Sequence, residues 1–334
     1  MNWRERRFIG IKRELFRRPN RIRIRSSEML TRRLAIFALS AAATFAADAT
    51  LLKLLPPDAH VVMGLDVEQG KNSPFGRYLL SQMQSDDEGI TKLVNLTGFD
   101  PRRDLREIVF ASRGTGVQGS KDGLFAARGA FNVAKIIAAA NSEGGQALVY
   151  QGFNVVAGRN GDTDGWIAFL DSTLAVGGAQ EEVKAAIARR TSGTANANIA
   201  TLGRTYDAWM YTVEPAALGR AVPAGQANSA ELFKAVQSAQ GGVKLGNTIT
   251  VTGEAIARSD KDATALHDVI KFVAGMIQLK STEANATEVA SLLDSMKLST
   301  SGTKVNLTVS IPQSQLEQFI ERSRRSTRKT ARVQ

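Results

Sequence analysis

Two carboxylates two residues apart, Asp66 and Glu68, close an apolar run that reads as a strand from Val61 to Val67. Residues i and i+2 of a strand share a face roughly 7 Å apart. That spacing is compatible with paired-carboxylate hydrolysis, in which one group protonates a leaving group and the other attacks or activates water. Solvated acids at a strand end are the simpler reading, because only Glu214 recurs at the matching place later in the chain. Asp66 and Glu68 are therefore the catalytic candidates of a chain in which no catalytic pair is the preferred expectation.

A second acidic stretch, Asn160 to Asp171, puts Asn160, Asp162, Asp164, Gly165, Ile167 and Asp171 on positions 1, 3, 5, 6, 8 and 12 of an EF-hand loop. Asn stands at the first ligand and Asp replaces the bidentate Glu at the last. With 166 to 170 as a strand, Asp171 would lie about 20 Å from the loop. Asn160, Asp162 and Asp164 are thus the metal candidates, against the simpler expectation of a polar hairpin turn. Gly114, Gly116 and Gly119 spell GxGxxG after a strand, but Ser120, Lys121, Asp122 and Gly123 lead into another strand. A dinucleotide site needs that loop to open a helix whose N–H groups hold the pyrophosphate, so a hairpin loop is expected and no cofactor.

Composition narrows the chemistry further. No cysteine occurs, which excludes disulfides, thiolate metal sites and cysteine nucleophiles. The two histidines, His60 and His267, are too few for a zinc site with three His ligands. One lies just ahead of a strand and the other on a helix beside Leu266, so both read as structural. Net charge is +11 over 334 residues, but it is unevenly placed. Residues 1–33 hold twelve Lys or Arg against three Glu, and residues 322–334 hold six cations and no acid, which leaves 34–321 at −4. A mildly acidic body between basic ends offers no basic face to a duplex, and no nucleic-acid partner is expected. The tail cations Arg322, Arg324, Arg325, Arg328, Lys329 and Arg332 suit contact with an anionic envelope or membrane surface, or form a solvated, disordered end.

The elements that would position these residues begin with Leu34 to Ala47, an uncharged apolar run behind Arg32 and Arg33. As a helix it would be roughly 21 Å long, short of the hydrocarbon core. With small residues at Thr44, Ala46, Ala47 and Ala49 it reads as a signal peptide over 29–49, cut after Ala46 or Ala49. Residues 1–28 read as a basic extension ahead of Met29, compatible with an overlong start assignment. The protein is then expected to be exported, periplasmic or extracellular, or anchored by its N-terminus if the run stays uncut.

Two halves follow, 51–193 and 198–321, joined by the small polar stretch 191–198. The first reads as a strand, helices opened by Ser73 and Pro74 and over Ile90 to Leu96, then strands at Leu105 to Arg113 and Leu124 to Phe131. An Asn132-capped helix, four short strands and a helix Glu181 to Arg190 complete it. In the second half, Ala208 to Val213 answers Val61 to Val67, and Val243 to Leu245 pairs with Thr248 to Ala257 around Gly246 and Asn247. A helix with Leu266, Val269, Ile270, Val273 and Ile277 on one face comes next, then one from Thr287. The strand Lys304 to Ile311 alternates strictly, and a last helix turns Leu316, Phe319 and Ile320 inward. Hairpins with few βαβ crossovers predict an α+β fold, antiparallel sheets with helices packed on one face, in two similar halves produced by duplication.

The segments Leu55, Pro56, Pro57, Asp58, Ala59 through Gly64, Leu65, Asp66, Val67, then Gly98, Phe99, Asp100, Pro101, Arg102, Arg103, Asp104, Leu105, and Ala168, Phe169, Leu170, Asp171, resemble a loosely defined group of exported bacterial proteins of unknown function. The resemblance covers about 51–190 and implies export and an α+β build, with no catalytic or binding residues to carry over. The function expected is that of an exported, non-enzymatic protein, binding a ligand or partner between its halves or serving as an envelope component. The alternatives are a carboxylate-dependent hydrolase of envelope polysaccharide and a membrane-tethered scaffold.

Overall fold

The β-branched and aromatic runs of this chain each need a partner edge, and pairing them in sequence order builds one long sheet. The structure is a computed structural model that describes residues 48–82, 88–114, 123–160, 163–215, 234–280 and 286–321. The apolar run 34–47 expected to be a signal segment, the loop around Gly116 and Gly119, Asp162 and the basic tail lie outside the described residues. No helix among the described residues is long and apolar enough to cross a membrane.

The chain runs through α1 (Ala49–Leu54) into β1 (Val61–Asp66), then through four short helices, α2 (Val67–Asn72), α3 (Pro74–Gln82), α4 (Glu88–Thr97) and α5 (Pro101–Asp104). The hairpin β2 (Leu105–Ser112) and β3 (Leu124–Gly129) leads to α6 (Val133–Ser142). A meander follows, β4 (Gln146–Tyr150), β5 (Phe153–Asn160), β6 (Thr163–Phe169) and β7 (Leu174–Ala179), closed by α7 (Gln180–Ser192). After residues 193–196 come α8 (Ala197–Thr205), β8 (Ala208–Thr212), β9 (Val236–Lys244), β10 (Thr248–Ala257), α9 (Asp260–Lys280) and α10 (Ala286–Asp294). The hairpin β11 (Lys297–Ser301) and β12 (Lys304–Pro312) and a helix α11 over 313–321 end the described chain.

All twelve strands form one antiparallel sheet, ordered β11-β12-β10-β9-β8-β1-β2-β3-β7-β6-β5-β4. The expected α+β class is therefore what the chain adopts. Both halves use the same wiring. In each, the third strand leads through helix to a meander whose last strand returns beside it, β7 on β3 in the first half and β12 on β10 in the second. The correspondence is one of strand order, and the second half has one hairpin fewer. The halves meet where β1 pairs with β8, Met63 opposite Met210 and Gly64 opposite Trp209.

The pairing registers decide which residues share a face. Val62, Val109, Ala111, Leu124, Ala126, Val176, Ala168 and Val155 line one face and form the main core with Leu51, Leu52 and Leu54 of α1, Val183, Ala186 and Ile187 of α7, and Ile199 and Leu202 of α8. Trp209 extends this face over β8, but next come Gly242, Thr252 and Thr308, which is polar ground. The second core, Val236, Ala257, Ala263, Leu266 and Val305, sits on the reverse face beneath the first turns of α9. The main core and the second core thus lie on opposite faces of one sheet, so the helices-on-one-face expectation holds within each core but not across the sheet. On the reverse side of the first half Phe169 meets Phe131, which stacks on Phe99 at 5.3 Å.

Several boundaries moved. Strand β1 stops at Asp66, not Val67, because the Asp66 carboxylate accepts the Gln69 N–H at 2.8 Å and starts α2. Leu316, Phe319 and Ile320 were expected inward, yet Phe319 is mostly exposed. Ile277 on α9 is exposed as well. Strand β11, KLSTS, carries no apolar alternation and has no sequence signal of its own.

Candidate functional site

Four consecutive strands at the middle of the sheet each place a charged residue at one level. Asp66 lies directly opposite Glu107, and Glu107 opposite Arg128. Asp207, just ahead of β8, accepts the Asp66 N–H on its carbonyl at 3.3 Å. The row Asp207, Asp66, Glu107, Arg128 shares the main-core face, since each residue is in phase with Trp209, Val62, Val109 and Ala126 along its own strand. Directly opposite side chains in such ladders stand about 5 Å apart at Cβ, so three carboxyl groups run side by side with a single cation at the end.

That cation is engaged elsewhere. Arg128 directs Nε to Asp48 Oδ2 at 2.9 Å, closes the pair with Nη2, and reaches Thr173 Oγ1 at 3.2 Å with Nη1. Asp48 caps α1 by accepting the Thr50 N–H at 2.7 Å, and its own N–H donates to Glu107 Oε1 at 2.9 Å. Glu107 is 8 % exposed and Asp207 0 %. Asp207 Oδ2 accepts the Leu245 N–H from the β9–β10 turn, while Oδ1 and the Trp209 indole N–H have no hydrogen-bond partner.

These surroundings set the charges. Burial, reinforced by the Asp48 and Asp66 charges, pushes the Glu107 carboxyl up to about 8, against the pull of the Asp48 N–H and Arg128. Burial pushes Asp207 up to about 7, with Asp66 adding to it and the Leu245 N–H and Lys244 opposing. Asp66 is raised by burial and by Glu68, despite the N–H groups it accepts and Lys71. For Asp48 burial works against ionisation, but hydrogen bonds from Arg128 and Thr50 outweigh it and hold the carboxyl below its ordinary value. What this arrangement can do chemically is hold protons near neutral pH in a covered place.

The candidate pair Asp66 and Glu68 does not lie on one strand. Asp66 is the cap of α2, and Glu68 belongs to the first turn of that helix instead of continuing the strand, 3.6 Å from Lys71. A helix turn rotates Glu68 off the face it would have shared with Asp66. Of the metal candidates, Asn160 and Asp164 stand on either side of the β5–β6 hairpin, with Asn160 opposite Thr163 and Arg159 opposite Asp164. Asp162 lies outside the described residues. Asp171 is beyond the far end of β6, where it accepts the Thr173 N–H at 2.6 Å, so the twelve-residue segment is a hairpin arm. Gly114 follows β2 and the chain resumes in β3, strand to strand. His60 lies at the start of β1, its carbonyl accepting the Val213 N–H, and His267 is on α9 beside Asp268. No group of three His, Cys, Asp or Glu suited to a metal ion occurs among the described residues.

Glu107, Asp207 and Asp48 were missed by sequence reasoning. Glu107 did leave a mark, a charge in phase with Val109 and Ala111 on the buried side of its strand. Asp207 left none, because its neighbours in the row come from strands far away in sequence.

No protein-family model matches the chain, and no curated protein sequence matches it. Two solved structures are similar in the course of the chain, crystal forms III and IV of TP0453. Each has a TM-score of 0.49 and 11% identity, over 82% of this chain and 98% and 97% of theirs.

Proposed function

We propose that this is an exported, non-enzymatic α+β protein that works by contact in the cell envelope, with an anionic membrane surface as its partner. The observation that carries the reading is where its exposed apolar side chains lie. Phe272 at 65 % exposure, Leu279 at 87 % and Phe319 at 54 %, with Ile277, are on helices of the second half, whereas Val149 at 68 % stands apart on the edge strand β4 of the first. The stretch 269–280 around three of them has Lys271 and Lys280 and no acid, and Phe319 is followed by the six cations Arg322 to Arg332. Apolar side chains beside cations favour the headgroup region of anionic bilayers. The two acids compatible with hydrolysis have internal duties, Asp66 as a cap and Glu68 beside Lys71.

Co-sedimentation of the mature chain with vesicles tests this. Binding to phosphatidylglycerol vesicles should exceed binding to phosphatidylcholine vesicles, fall with salt, and drop several-fold in Phe272→Ser with Leu279→Ser. Equal recovery with both lipids would remove the reading. Loss of polysaccharide cleavage in Asp66→Asn or Glu68→Gln at an unchanged melting temperature would establish the hydrolase instead.

A further inference from the structure

We propose that the carboxylate row across β8, β1 and β2 is a proton lock on the seam between the two halves, tightest at acidic pH and progressively loosened as the pH rises through neutrality. Three acids from three adjacent strands stand side by side on a buried face, and like charges directly opposite in a ladder oppose pairing. Arg128, the one cation in the row, is spent on Asp48. Asp207 has a bare, buried Oδ1, and an ionised carboxylate in that position is costly unless it takes up a proton. The row sits where β8 of one half pairs with β1 of the other, so whatever strains it strains the joint.

The charged groups facing the row are few. Glu107 meets Asp66 on β1, Arg128 on β3, and Asp48 at the cap of α1, whose remaining charge, Lys53, is exposed. From α2 the groups near Asp66 are Glu68 and Lys71, and Lys71 Nζ donates to the Arg103 carbonyl at 2.9 Å. Asp207 meets Asp66 and, at the end of β9, Lys244; on α8 Arg204 is exposed. No cation among these compensates both Glu107 and Asp207.

The sign follows from proton counting. Glu107 and Asp207 keep protons in the folded chain that the unfolded chain has released above about pH 4.5, so unfolding releases protons and stability falls as pH rises. The unfolding constant should grow about tenfold per pH unit for each proton held. Both contribute from about pH 4.5 to the Asp207 value of about 7, and Glu107 alone continues to about 8. Carboxyls held low, such as Asp48 and Asp100, act below that window.

Urea unfolding of the mature chain between pH 5 and 9, with Glu107→Gln, Asp207→Asn and the double variant, is the test. The wild-type midpoint should fall steeply across pH 5 to 8, and the double variant should lose one to two protons' worth of that slope. An equal slope in both proteins overturns the proposal. If the double variant does not fold, carboxyl-carbon NMR titration of the wild-type decides the matter. Midpoints for Glu107 and Asp207 above 6 support the lock, and midpoints near the ordinary value of about 4 overturn it.

Discussion

Gly64 is glycine because Trp209 occupies the place of a side chain: a Cβ built there would come within 2.4 Å of the indole Cε2. The indole of one half thus packs against the backbone of the other at Gly64, and both residues pair directly across the seam. Gly64→Val should destabilise the fold by about 3 kcal/mol through overpacking, read as a lower urea midpoint at constant slope. Neither partner is visible as such in sequence, since a glycine inside VVMGLD reads only as a weak strand position. Asp66 was legible as a chemically interesting residue, yet its role was not. The cap it makes depends on whether the strand ends there, which one-dimensional alternation does not decide.

At the scale of elements, α1 is held by a residue outside it. Asp48 caps the helix, anchors Arg128 and covers Glu107 with its N–H. Asp48→Ala should cost about 2 kcal/mol, a lost cap together with a lost charge-assisted pair, measured by thermal or urea unfolding. The same contacts discriminate between the two cleavage sites expected from the sequence. Were the apolar run cut as the sequence leads one to expect, a cut after Ala46 would retain Asp48 and one after Ala49 would remove it, so intact-mass measurement of the processed chain should find Ala47 at its start. Strands with alternation, such as β12, and helices with marked caps, such as α6, were readable nearly to the residue. Helix α9 was readable as a helix, and most of its facing with it: Leu266 is buried and Val269, Ile270 and Val273 are half-buried. Its predicted stripe included Ile277, yet the second core gathers under Ala263, Leu266 and Ile270 only.

For the whole molecule, the α+β class was legible because hairpin signals are local. The single sheet and its reversal of buried face were not, because they arise from β1 meeting β8, a pairing that no local pattern encodes. The first half expressed alone, residues 47–193, should therefore be poorly soluble, and co-expression with 194–334 should restore it, checked by recovery in the soluble fraction. The central place of that pairing also imposes an order on biosynthesis. Strand β1 leaves the ribosome roughly 140 residues before its partner, a delay on the order of ten seconds at ordinary elongation rates. Throughout that interval the first half presents an open strand edge, the kind of surface on which chains aggregate or swap. The joint between the halves therefore cannot form until β8, about three-fifths of the way along the chain, has been made.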